Sequence, residues 1–189
     1  MTPRGLWLVV ALALAGCAPA SPSAVPSRPP VPDGWVRYTS DTRDVAVTVP
    51  PQLQIQDERG EILAGFHDSS ADLSTLGVLA IGPTNELPAV EPPYTESVLT
   101  EWLLSAISNR RPETYTHSRV VLPAGPAVEV RFTFDAGTPE EVAVVADAIP
   151  TSDGVAFLTA NCQAKPMNLC DEFLRLVPLL FDLKRPVAD

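Results

Sequence analysis

Two cysteines, two histidines and one short serine-aspartate run are the residues in the body of this 189-residue chain whose types could do chemistry. Cys162 and Cys170 bound the stretch CQAKPMNLC, eight positions apart. A redox pair is better served by the shorter C-x-x-C spacing that lowers a thiol pKa, and a zinc site would need two further ligands. The histidines on offer, His67 and His117, stand isolated in the sequence. His67 opens HDSSAD, which sets Asp68, Ser69, Ser70 and Asp72 beside it. Those types could build a Ser/His/Asp nucleophile or a cation site, and they equally make a solvated turn between two strands. Glu140 and Glu141 stand at a strand entrance, where they read as solubilising charges. The sequence contains no G-x-S-x-G elbow, H-E-x-x-H, calcium loop or Gly-rich phosphate cradle. No metal, cofactor or catalytic residue is therefore expected.

The first seventeen residues, MTPRGLWLVVALALAGC, carry Arg4, then an uncharged apolar run from Leu6 to Ala15, then small residues. That is the order of a secretory leader. The run is too short to span a hydrocarbon core, which needs roughly 20 apolar residues. Leu14, Ala15, Gly16 and Cys17 resemble the lipobox of bacterial lipoproteins. The resemblance implies that the chain is cut before Cys17, that Cys17 is lipidated, and that acyl chains hold the protein to a membrane. More than one chain is needed for durable anchoring, since each buried methylene adds about 0.8 kcal/mol. With Cys17 assigned to lipid, Cys162 and Cys170 remain as an even pair in a compartment where disulfides persist, and a structural bridge is the preferred reading.

Residues 18–33, APASPSAVPSRPPVPD, are rich in proline and lack aromatics. Such a segment favours polyproline II and reads as a tether, able to reach roughly 50 Å at about 3.1 Å per residue. Residues 34–189 then form a single domain. The chain carries a net charge of −10, which disfavours phosphate backbones and so argues against nucleic acid as a partner.

The elements that must position any site follow from periodicity. WVRYTS (35–40) and VAVTVP (45–50) read as a hairpin, with EILAGFHD (61–68) and LGVLAIG (76–82) as two further strands. SVLTEWLLSAISN is a helix whose stripe is Val98, Leu99, Trp102, Leu103, Ala106 and Ile107. In AVEVRFTFD, Val128, Val130, Phe132 and Phe134 alternate with Ala127, Glu129, Arg131 and Thr133, the cleanest strand signal in the chain. HSRVVL precedes it across PAGP; EEVAVVADAI and VAFLTAN follow, joined through PTSDG. NLCDEFLRLV is a closing helix with Asn168 as N-cap, and Pro178 should end or kink it. The expected fold class is α+β: four strands, helix, four strands, helix, as antiparallel meanders of about eight strands packed with two amphipathic helices.

This order, with WVRYTSDTRDVAVTVP as opening hairpin, the helix around Trp102 and the closing DEFLRLVPLLFDL, resembles the PsbP-like group, including its Mog-type, DcrB-like and LpqN-like lipoprotein members. The resemblance implies a sandwich and an accessory or binding role, and it transfers no functional residue. The expected function is a non-catalytic, lipid-anchored protein on the extracytoplasmic side of a cell or outer membrane, recruiting an envelope protein or a small apolar ligand. Such a role calls for an exposed apolar groove. The alternatives are an envelope hydrolase built on His67, Ser69 and Asp72, and a purely structural envelope protein.

Overall fold

The computed structural model describes residues 26–40, 45–58, 61–68, 74–81, 93–107, 112–152, 154–163 and 168–183. Cys17 and the lipobox residues Leu14, Ala15 and Gly16 lie outside them, as do Ser69, Ser70 and Asp72 of the serine-aspartate run.

The strongest alternation in the sequence becomes the strand next to one edge of the larger of two antiparallel sheets. That sheet has seven strands in the order β3-β4-β5-β9-β8-β7-β6. They are β3 Gln54–Glu58, β4 Glu61–Asp68, β5 Ser74–Ile81, β6 Tyr115–Leu122, β7 Gly125–Phe134, β8 Val142–Thr151 and β9 Gly154–Gln163. Two meanders, one before and one after the first helix, are zipped together where β5 pairs with β9. The second sheet has three strands, β1 Val36–Thr39, β2 Val45–Val49 and β10 Phe181–Leu183, with β2 in the middle. The helices are α1 Glu96–Ile107 and α2 Asn168–Leu179.

Because side chains alternate across a strand, the large sheet feeds two separate cores. On β8, Val145 and Ile149 enter one cluster while Val144, Ala146 and Ala148 enter the other. The same split divides Leu158 and Ala160 from Val155 and Phe157 on β9. One face is covered by α1, whose Leu99, Trp102 and Leu103 are buried, and Trp102 meets Phe157 edge-on at 5.9 Å between centroids. The opposite face is covered by α2 and the small sheet, which bring Phe173, Val177, Val45 and Val49 against it. The α+β class with antiparallel sheets and two helices is as expected, but the large sheet lies between two covered faces.

Two particulars differ from the sequence reading. The strands number ten among the described residues, because β3 and β10 were not anticipated. The stripe of α1 is shifted: Thr100 and Leu104 are buried, whereas Val98 is 41% exposed. Pro178, expected to end or kink α2, is its penultimate residue, and the helix ends at Leu179. The chain leaves the helix there, where Leu180 N donates to Leu176 O and Val177 O, and then runs straight into β10.

Both turns read from glycine are present. Gly125 (φ 138°) follows β6, and Gly154 (φ 133°) returns β8 into β9, with Thr151 Oγ1 donating to Gly154 O at 3.1 Å. The proline-rich run also makes a contact with the domain: Arg28 is ion-paired with Asp182 of β10, which Arg37 of β1 also reaches at 2.5 Å.

Candidate functional site

The cysteine pair is a disulfide. Cys162, near the end of β9, and Cys170, in the first turn of α2, have Cα atoms 5.4 Å apart and are both fully buried. Cys162 stands between Leu76 of β5 and Ala143 of β8 in the register, so the bond ties the helix start to the middle of the large sheet. With both sulfurs joined and no access from solvent, the pair has no thiolate to offer to a metal or a substrate.

Of the HDSSAD run, the structure describes His67 and Asp68 as the end of β4, opposite Thr75 and Ser74 of β5. Their proposed partners Ser69, Ser70 and Asp72 fall outside the described residues.

His117, isolated in sequence, is not isolated in space. Thr95 caps α1: its Oγ1 accepts from Val98 N at 3.3 Å and its carbonyl accepts from Leu99 N. Glu96 then begins the helix, where the dipole favours an anion. Since α1 lies across β6 and β7, Glu96 meets two side chains of β6 about 20 residues on. His117 Nδ1 lies 2.9 Å from Glu96 Oε1, and Arg119 Nε lies 3.6 Å from Glu96 Oε2. All three side chains are substantially exposed, so the contact is worth at most about 1 kcal/mol to stability.

Beside this trio opens a cavity of about 310 Å³. Its walls are Leu99 of α1, residues 119–121 of β6, residues 126–128 of β7, Pro150 of β8, and Tyr94 just ahead of the helix. Apart from Tyr94 and Arg119, every lining side chain is aliphatic or proline. A concave apolar surface with a few polar groups at one end is the usual form of a small-molecule site, and this one lies at the small end of the roughly 300–1,000 Å³ range. Sequence reading missed it because its walls come from four elements whose separate patterns signal only burial.

A third group lies on the other face of the sheet. Asp147, in the middle of β8, is 0% exposed, and neither carboxylate oxygen has a hydrogen-bond partner among the described residues. Its register neighbours are Glu129 on β7 and Leu158 on β9. Glu129, itself 12% exposed, is held by Arg131, whose Nε and second guanidinium nitrogen donate to its two oxygens at 2.5 and 2.9 Å. Burial pushes the Asp147 carboxyl well above the usual carboxylate range; the adjacent Glu129 charge adds to the effect and Arg131 partly opposes it. The signal for this residue was present in the sequence as the lone charge inside VAVVADAI.

Among the described residues, no three His, Cys, Asp or Glu side chains are grouped to hold a metal ion, and no helix is long and apolar enough to cross a membrane. No family model matches the chain. No curated protein matches it. Among solved structures, the chain is similar to LpqN, a protein involved in cell envelope biogenesis of Mycobacterium tuberculosis, at 13% identity over 83% of this chain and 82% of that one, with a TM-score of 0.39.

Proposed function

We propose that this protein is a non-catalytic, lipid-anchored binding protein of the cell envelope, facing the extracytoplasmic side and holding a small apolar ligand in the cavity beside α1. The observation that carries the binding reading is the cavity itself: about 310 Å³, lined by aliphatic and proline residues together with Tyr94 and Arg119, whose side chains are the polar ones in the wall. Export and anchoring are supported by the leader, the lipobox at Cys17 and a disulfide of the kind that persists outside the cytosol.

The anchor is tested by growing cells on labelled palmitate. The wild type should take up label and sediment with membranes, while Cys17→Ser should do neither; equal labelling of the two would remove the anchor from this reading. The ligand is tested on the mature chain from Ala18, exported without lipid and examined by native mass spectrometry. A bound mass of defined size should accompany the wild type and be lost in Val121→Trp, which fills the recess from a half-buried position. A bare protein mass that also fails to shift with added apolar compounds would sink the small-ligand reading and favour a protein partner.

A further inference from the structure

We propose that the ligand of this cavity carries an anionic head, carboxylate or phosphate, on an apolar body, and that Arg119 is the residue that selects it; this rests on the cavity being a ligand site. Arg119 is the one charged side chain in the lining. It is 68% exposed and, among the described residues, its ion pair is a long contact to Glu96 through Nε at 3.6 Å. Glu96 is shared, because its other oxygen is held by His117 at 2.9 Å. No second carboxylate lies within ion-pair distance of Arg119 among the described residues.

Arg131 on the neighbouring strand shows what a closed pair looks like in this protein: it grips both oxygens of Glu129 through two nitrogens. Among the described residues, no carboxylate grips the two terminal nitrogens of Arg119 in this way. That fork is the geometry that takes a carboxylate or phosphate with two parallel hydrogen bonds. Glu96, itself held by His117, stands 3.6 Å from the Nε side of the fork, a contact too long to fix the guanidinium, which the ligand would order on binding.

The head and the body can be satisfied together only by an amphiphile. A cationic head would face Arg119 and find Glu96 already engaged. A free inorganic anion would leave the aliphatic wall uncovered, whereas a single chain would fill it. At roughly 30 Å³ for each group the size of a water or methylene, the cavity holds about ten. The net charge of −10 does not oppose this at close range, since fields from remote charges are screened within about 8 Å at physiological salt.

The test is calorimetric titration of the mature chain from Ala18 with decanoate, decyl phosphate and decanol, each below its micelle concentration. The wild type should bind at least one of the two anions about tenfold or more tightly than the alcohol, as expected for a charge-assisted bidentate contact. Which anion is preferred distinguishes a fatty-acid head from a phosphate head. Arg119→Gln should bring the anions down to the alcohol's affinity while leaving decanol unchanged, and Arg119→Lys should restore part of the preference. Val121→Trp should weaken all three. If wild type binds decanol as tightly as both anions, or if Arg119→Gln keeps the preference, the inference is overturned while the cavity reading stands. If no probe binds the wild type, the cavity reading falls with it.

Discussion

Asp147→Asn is expected to stabilise the folded domain at neutral pH, and the gain should disappear on acidification. The reason lies in where the carboxyl sits. Burial among Val145, Ile149 and Leu158 penalises its charged form, the facing Glu129 adds repulsion, and Arg131 gives back part. The folded state therefore holds a proton on Asp147 at pH values where the unfolded chain, near the usual value of 3.8, has lost it. A group whose folded pKa is raised supplies its stability in full below the unfolded value, and that stability drains away as pH rises toward the folded value. Across that window the loss is at most about 1.4 kcal/mol per pH unit. Asparagine has the same shape and no proton to bind, so its unfolding free energy should be flat where the wild type's falls.

Urea unfolding at pH 4, 5, 6 and 7 reads this directly. The two proteins should agree within about 1 kcal/mol at pH 4, because a neutral acid and an amide leave similar unpaired groups buried. By pH 7 the variant should be clearly ahead, the gap having opened as the pH rose above 4. Glu129→Gln in the wild type should flatten the slope, since it removes the repelling charge and leaves Arg131 to face Asp147. The same change in the Asp147→Asn background should have no effect on the slope. Parallel curves for wild type and Asp147→Asn would show that the carboxyl titrates alike in both states, and the account of a buried acid would be wrong.

Which parts of this architecture could be read from residues alone depends on whether the deciding interaction is local. Val128, Val130, Phe132 and Phe134 announce β7 because one strand's own alternation records which side is dry. β3, Gln54–Glu58, has no such record: QIQDE has one apolar residue, and the segment is a strand because β4 offers it a backbone ladder. β10 is similar. Phe181–Leu183 follows a proline that reads as a helix stop, and its pairing with β2 is set by α2 delivering the chain there. The candidate site is less legible still. Glu96 and His117 are 21 positions apart, and nothing near either one signals the other. Leu99, Val121 and Val128 each read as part of an ordinary helix or strand and Pro150 as the start of a turn; only their arrangement leaves a space. Asp147 was visible as an oddity, yet its consequence depends on Glu129 sitting opposite, which is a matter of register between two strands.

The disulfide carries the other large effect. Replacing both cysteines with alanine should cost about 2 to 3 kcal/mol, the loop-closure entropy for a separation of eight. For a domain of this size that is a fall of roughly 5 to 10 °C in Tm. Because the two sulfurs act as one bond, Cys162→Ala and Cys170→Ala should each lose nearly as much as the double variant, and the cycle should show strong coupling. The loss should also be uneven in space. The far end of α2 is held independently by the β10–β2 ladder and by the contact of Arg28 and Arg37 with Asp182, whereas its first turn is tied to the sheet through Cys170. Amide exchange in the double variant should therefore accelerate over residues 168–173 while β10 stays protected. Uniform acceleration along the whole helix would mean that α2 docks as one unit on Phe173, Leu174 and Val177, with the bond adding only to the unfolded-state term. Unchanged stability in the double variant, or two free thiols in the non-reduced wild-type mass, would overturn the structural role altogether.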